Sequence, residues 1–585
     1  MTEIKRSETF DLAFKFITQT NKNVFLTGKA GTGKTTFLKY LKSHTHKNMV
    51  VAAPTGVAAI NAGGVTLHSL FQLPFAPFIP SSNATENTLH KHPLLSQIRL
   101  NSQKRKILVN MDLLVIDEVS MVAANTLDSI DIILKSVRKN FNYPFGGVQV
   151  LFIGDLRQLP PVVKNFTSGI FQSIYKSYFF FDSLVLSQYT PVMVELKTIY
   201  RQKDDNFVDI LNGVRENQLT PKHLETLNKR LKPDFTPETN AGYITLTTHN
   251  SQADTLNQAQ INQLKEREYI FKAEIKDDFP QSMYPADADL VLKKGAQVMF
   301  LKNDTEEKQY FNGKIGTVSY ITHNEIHVKC KEDPGAIIVQ KDEWKNVHYK
   351  VDSKTREVNE EVLGLFKQYP LRLAWAITIH KSQGLTFDKL VVDAQKAFAN
   401  GQVYVALSRG RSLDGLVLTS PISQQFLGAN QNLKNWENHH NKPEGLSELL
   451  ENSKIDCIQT ECIRIFDWYN TVQIIASVDR IVKREKEQLN PEVPAWSDDI
   501  LNQIMDLNKV AKTFQTSIIN LTLDPEFREN QNQFQKRLKD AADYFLPKIE
   551  IFKEVILNHP IACKTKKTSI EFDEPFEELG SFLHD

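Results

Sequence analysis

Short apolar runs recur through about the first 200 residues, and longer stretches between them return to apolar positions every third or fourth place. The runs are "VFL" from Val24, "MVVAA" from Met49, "LLVID" from Leu113, "VQVLFIGD" from Val148 and "VMVEL" from Val192. Buried strands alternating with helices predict a parallel sheet covered by helices. The alternation fails over "FQLPFAPFIPSSNATENTLHKHPLLSQ" from Phe71, where Pro74, Pro77 and Pro80 break regular structure, so an insertion is expected over 72–107. A second alternation runs through "YITLTTHN" from Tyr243, a helix near 252–265, "LRLAWAITIH" from Leu371 and "KLVVDA" from Lys389. A β-rich segment, 268–367, divides it. Within that segment "NGKIGTVSYITHNEIHVKC" alternates with period two and predicts a hairpin turning at His323–Glu325, an element of small barrels. From 435 onward the pattern is helical and charged. The expected domains are therefore 1–190, a second α/β unit from 191–267 and 368–434, the β insertion 268–367, and a helical region 435–585.

Composition narrows the class. A chain of 585 residues, 41% hydrophobic and 24% charged, has ample material for several globular cores. No run of about 18 apolar residues is present, and "MTEIKRSETFDL" has no signal-peptide core, so a cytoplasmic protein with no membrane partner is expected. Cys330, Cys457, Cys462 and Cys563 lack zinc-site spacing and read as reduced thiols. The net charge of +1 leaves nucleic acid open, since a single strand needs a local basic groove with stacking aromatics rather than a basic average.

The chemistry begins at "FLTGKAGTGKTT", residues 25–36, where Gly28, Gly31, Gly33, Lys34 and Thr35 fill the pattern G-x-x-x-x-G-K-[ST] between a strand and a helix. Backbone N–H groups of such a loop, here Gly28, Lys29, Ala30, Gly31, Thr32, Gly33, Lys34, Thr35 and Thr36, close around phosphates at the positive end of the helix. Lys34 would reach the β- and γ-phosphates and the Thr35 hydroxyl would bind Mg²⁺. "LLVIDEVSM" ends a strand in two carboxylates: Asp117 for the metal and Glu118 to polarise the attacking water. In "GDLRQLPPV" the Gln158 amide can donate to a γ-phosphate oxygen or to the water. Arg201 in "IYRQKDDNF" and Arg409 in "VYVALSRGRS" lie in the second α/β unit; if it faces the first, both can act as arginine fingers on the triphosphate.

The succession "GKAGTGKTT", "APTGVAAINAGGVTLHSLF", "VIDEVSM", "GDLRQLPPV", "YRQ", "AWAITIHKSQGLTFDKL" and "VYVALSRGR" resembles superfamily-one helicases, and in particular the Pif-one-like DNA helicases related to RecD. The motifs span about residues 20–420 in the family's order. The resemblance implies an α/β protein with two RecA-like lobes clamping ATP and Mg²⁺, single-stranded DNA lying across both, and 5′→3′ movement that opens tailed duplexes. It implies an ATPase site of Lys34, Thr35, Asp117, Glu118, Gln158, Arg201 and Arg409, with Gln383 and Gly384 coupling nucleotide to DNA. Thr55, His68, Thr378, His380 and Lys381 match positions near the DNA track; the alternative for His68 and His380 is a core imidazole, and His249 stays open. The insertion at 72–107 corresponds to the wedge, with Phe75 or Phe78 for stacking, and 268–367 to a Src-homology-three-like barrel. One position departs from the family: Asp11 stands where a Gln near the adenine is expected, which leaves base recognition to Asp11 or to Gln19. Residues 435–585 lie outside the resemblance and offer a place for a protein partner. The readings beside a DNA helicase are an RNA-directed helicase or translocase, and a DNA-binding P-loop switch that does not unwind.

Overall fold

The computed structural model describes residues 6–74, 93–161, 168–200, 204–236, 242–304, 309–331, 333–352, 355, 358–393, 401–422, 431–440, 445–524, 527, 531–564, 568–569, 571–572, 575–576 and 579. Arg201, Phe75 and Phe78 lie outside the described residues.

Six strands, β1 (Val24–Gly28), β2 (Met49–Ala53), β3 (Val65–Thr66), β4 (Leu113–Ile116), β5 (Gln149–Ile153) and β6 (Val192–Leu196), form a sheet in the order β3-β2-β4-β5-β1-β6. Every neighbouring pair is parallel. β1, β4 and β5 are buried along their whole length, which is why they read as unbroken apolar runs: helices cover both faces. The order sets the carboxyl ends of β1, β5 and β4 side by side, so Gly28, Asp117 and Asp155 emerge at one edge, where open α/β sheets bind ligands.

Three boundaries move from their sequence-based places. β6 pairs with β1 from Val24↔Val192 to Gly28↔Leu196, so the first lobe extends past 190 to at least 196. Periodicity identifies a strand but not the sheet it joins. The insertion drawn to 107 ends earlier, because the helix Ser102–Asn110 buries Ile107 and Leu108 in the first-lobe core. The second lobe's sheet orders Ala376–Thr378, Ile244–Thr247, Leu390–Val392 and Leu416–Leu418, again all parallel. It packs on the helices Asp205–Glu216 and Gln402–Leu407 through Phe207, Ile210, Val403 and Leu407.

Between the lobes' segments, a five-stranded antiparallel sheet and a two-stranded ribbon share one core around Phe271, Leu292, Val298 and Val328. The hairpin Ile315–Ile321 with Ile326–Lys329 closes through Thr322 N donating to Glu325 O, at the turn that alternation predicts. A longer hairpin, Asp342–Val351 with Val358–Gln368, reaches back to the first lobe: Tyr349 is buried in that core and its hydroxyl accepts from Val51 N at 3.1 Å.

The third boundary is at 435. The helix Gln431–His440 follows the second lobe in sequence yet packs on the first. Trp436 stacks on Phe181 at 4.8 Å and meets Phe25 edge-on at 5.9 Å. The compact unit accordingly runs to Leu446, and a separate unit, Ser447–Asp585, is helical. Its helices Tyr469–Arg484, Val493–Leu523 and Asn532–Leu557 enclose cores such as Ile475, Ile500, Ile504 and Phe552. A chain ending at Leu446 is expected to keep the melting midpoint of the N-terminal unit, and one ending at 430 to lose several degrees. Trp436→Ala should cost about 3 kcal/mol in denaturant titration. Equal midpoints for the two truncations would contradict this packing.

Candidate active site

The P-loop leaves β1 at Gly28, where a Cβ would stand 2.5 Å from the Thr32 hydroxyl and 2.7 Å from Leu196 O. Only glycine permits that approach. Lys34 opens the helix Lys34–His44, and its Nζ donates to the carbonyls of Gly28 at 2.6 Å and Lys29 at 3.1 Å, so the ammonium lies against the loop. Thr35 and Thr36 are exposed in the first turn. The Tyr200 N–H donates to Gly31 O at 2.9 Å, tying the segment that leads to Arg201 onto the loop.

Asp117 follows β4, and its Oδ1 accepts from Glu118 N at 2.9 Å. Burial, then the neighbouring Glu118 charge, push its pKa up to about 7 against the pull of Lys34. Glu118 adopts the left-handed region at φ 51°, a conformation that costs a non-glycine residue about 1–3 kcal/mol and collects at functional sites. Two adjacent carboxylates, one protonated too easily, fit a cation. Among the described residues no group of three or more His, Cys, Asp or Glu could hold a metal ion.

Asp155, after β5, is fully buried and accepts from both lobes. Its Oδ1 takes Arg157 N and Arg215 Nη2, each at 3.1 Å; its Oδ2 takes the Tyr404 hydroxyl at 3.4 Å and Gln158 Nε2 at 3.5 Å. Burial works to raise its pKa, but Arg215 and then Lys34 outweigh it and hold the carboxyl below its usual range. The Tyr404 hydroxyl in turn accepts from the P-loop N–H of Ala30 at 3.2 Å. Gly401, at φ 85°, caps the helix carrying Tyr404; a Cβ there would stand 2.4 Å from Gln158 O. Arg157 adds a second crossing, 2.7 Å to Glu216, and also pairs with Glu437.

Arg409 is brought to this region but is not free in the cleft. Its guanidinium is buried in the second lobe, with Nε donating to Val405 O at 3.0 Å and Nη1 to Ser382 O and Leu385 O at 3.4 Å. Its charge is felt at the Tyr404 hydroxyl. Gln383 keeps a buried Nε2 without an acceptor, an orphan donor that a bound phosphate group would satisfy, and Gly384 is exposed beside it.

The nucleic-acid candidates lie at the carboxyl edges of the two sheets. Thr55 is exposed after β2, and its Oγ1 accepts from Ala58 N. His68, after β3, is exposed, which sets aside a core imidazole; partial burial lowers its pKa, as it does for His380. A neutral imidazole can stack on a base or donate its remaining N–H. Lys381 is exposed, whereas Thr378 is buried and its Oγ1 accepts from Lys381 N at 3.3 Å, so Thr378 shapes the turn. His249 is exposed and its Nδ1 meets Thr248 Oγ1 at 2.9 Å. Asp11 lies 3.5 Å from Arg6, so its carboxylate already has a cation.

Sequence reasoning missed Asp155, Arg215 and Tyr404 as a group. Two signals were present. Asp155 ends a strand as Asp117 does, and Arg215 stands four residues after Leu211, on the buried stripe of its helix, where a charge needs a partner.

A sequence profile described as PIF1-like helicase matches residues 5–224, and one described as DNA helicase, middle domain, matches 449–584. The ATP-dependent DNA helicase Pif1 of Bdellovibrio bacteriovorus is 32% identical over 413 residues, covering 68% of this chain and 84% of that one. The chain belongs to the Pif1-like helicase family. Its human relative, the ATP-dependent DNA helicase PIF1, is 33% identical over 68% of this chain, which spans 58% of that protein's length. Among solved structures, Bacteroides Pif1 with ADP-AlF4 is 41% identical, with a TM-score of 0.67, covering 74% of this chain and 96% of that one. Bacteroides Pif1 with ADP-AlF3 and single-stranded DNA is 41% identical, with a TM-score of 0.52, over 75% and 98% of the two chains. The two parallel sheets described above are the RecA-like lobes of this family.

The raised pKa of Asp117 has a measurable consequence. With its pKa pushed up to about 7, the folded protein keeps that proton well above the ordinary carboxyl value of 3.8 at which the unfolded chain releases it. The fold without nucleotide therefore loses stability across that window as pH rises. Asp117→Asn should melt several degrees higher than wild type at pH 8, converge with it toward pH 4, and fail to hydrolyse nucleotide. Equal melting at pH 8 would remove the excess negative charge from the account.

Proposed function

We propose that this chain is an ATP-dependent DNA helicase that moves 5′→3′ on single-stranded DNA and separates duplex ahead of it. The observation that carries this reading is the closure of second-lobe residues onto the P-loop: an ATPase whose site is finished by another lobe links hydrolysis to lobe movement. Lys34 receives the β- and γ-phosphates, Glu118 polarises the water, and Gln158 donates to it or to the γ-phosphate. Thr35 and Asp117 would hold Mg²⁺, which supplies charge neutralisation on the phosphates. Arg201 and Arg409 supply positive charge from the second lobe, Arg409 from its place on the carbonyls of Ser382 and Leu385, where its charge already acts on the Tyr404 hydroxyl. Thr55 and His68 grip the strand from the first lobe, and His380 and Lys381 from the second.

Support comes from the relatives' printed activity and from the Bacteroides structures with a nucleotide analogue and single-stranded DNA. Among the described residues no helix is long and apolar enough to cross a membrane, and all four cysteines are free; we assign a cytoplasmic setting on the thiols. The helical unit, outside every catalytic motif, is the part we assign to a protein partner. Asp11, already paired with Arg6, leaves base discrimination weak.

Opening a base-pair step costs about 1.4 kcal/mol, within reach of one triphosphate. Duplexes with a 5′ single-stranded tail should be unwound with ATP, those with only a 3′ tail should not, and Glu118→Gln should bind both without unwinding. Equal unwinding from both tails would reject the direction. DNA-independent turnover with no unwinding would favour a P-loop switch, and stimulation by RNA alone an RNA-directed motor.

A further inference from the structure

Tyr404 is 4% exposed, yet its hydroxyl ends at the P-loop, accepting from Ala30 N and donating to Asp155. Arg215 fixes the other side of that carboxylate at 3.1 Å. Five residues after Tyr404, past the end of the helix Gln402–Leu407, Arg409 holds the carbonyls of Ser382 and Leu385. The turn they belong to continues directly from Thr378–Lys381, and Ser382 N donates to Thr378 O at 3.0 Å. One short helix thus touches the phosphate loop through Tyr404 and leads into the residue that grips the nucleic-acid turn.

We propose that Tyr404 is a positioning residue through which the second lobe registers whether the P-loop holds phosphate, and that its helix passes this state to Thr378–Lys381. The inference rests on the reading of the chain as an ATP-driven DNA motor. P-loop N–H groups are donors that phosphates recruit. Ala30 has one such proton, so a phosphate that takes it releases the Tyr404 hydroxyl, which keeps Asp155 as its acceptor. The hydroxyl donates in both states, so no buried donor is stranded by the exchange. Arg409, bonded to three backbone carbonyls, follows its helix rather than swivelling, and the 382–385 turn follows Arg409.

The test compares affinity for a fluorescein-labelled oligothymidine, by anisotropy, without nucleotide and with saturating ADP-AlF4 and Mg²⁺, in the full chain. Coupled sites commonly shift each other's affinity about 5- to 150-fold. Wild type is expected to show a shift of about ten-fold. Tyr404→Phe should reduce it to about two-fold or less while affinity without nucleotide is kept. Asp155→Asn, which weakens the same contact from the other side, should shrink the shift as well, whatever its affinity without nucleotide. A wild-type-sized shift in both variants would overturn the role of Tyr404. Equal loss of affinity with and without nucleotide would overturn it too, by marking the hydroxyl as structural support. A wild-type protein with no shift at all would instead reject the motor reading on which the inference stands.

Discussion

A fully buried carboxylate must have its charge met where it stands, and Asp155 is met from two lobes at once. The first lobe supplies the strand end and the Arg157 N–H; the second supplies Arg215 and Tyr404. Losing one partner of such a group leaves an uncompensated charge and typically costs about 3–5 kcal/mol. The lobes therefore cannot separate at this point without finding Asp155 new partners. Because the same carboxylate lies within the field of Lys34, the contact that joins the lobes stands beside the phosphate loop.

The rest of the architecture serves that placement. Strand order β4-β5-β1 brings the ends of three strands together, so the P-loop, the Asp117–Glu118 pair and the Asp155 loop share one edge. The helix Gln431–His440 then crosses back to the first lobe, and its Glu437 joins Arg157 beside Glu216. The hairpin carrying Tyr349 makes a second return to that lobe from the β insertion. Two separate stretches of chain thus come back to the first lobe after it has been completed in sequence.

Much of this is legible in the sequence. The P-loop, the strand ends with Asp117 and Glu118, and the alternation of both sheets rest on local patterns of two to eight residues, which a chain displays directly. The missed features were long-range. β6 looks like any strand and declares its sheet only by pairing with β1. Trp436 sits in a charged helix, and nothing within ten residues indicates that Phe25 and Phe181 will receive it. The motif around Arg409 gives its neighbourhood but not its exposure; burial against the 382–385 carbonyls is a tertiary fact. Asp155 and Tyr404 are 249 positions apart, and only folding makes them one site.

The central claim is that Asp155 and Arg215 act across the cleft as a single unit in ATP turnover. A double-mutant cycle on DNA-stimulated kcat/KM tests it most directly, using Asp155→Asn, Arg215→Met and the pair together. Each single change leaves the other group buried without its match, so the account predicts that the double variant is no slower than the slower single. If the two losses multiply, the residues work independently, and the carboxylate does not join the lobes.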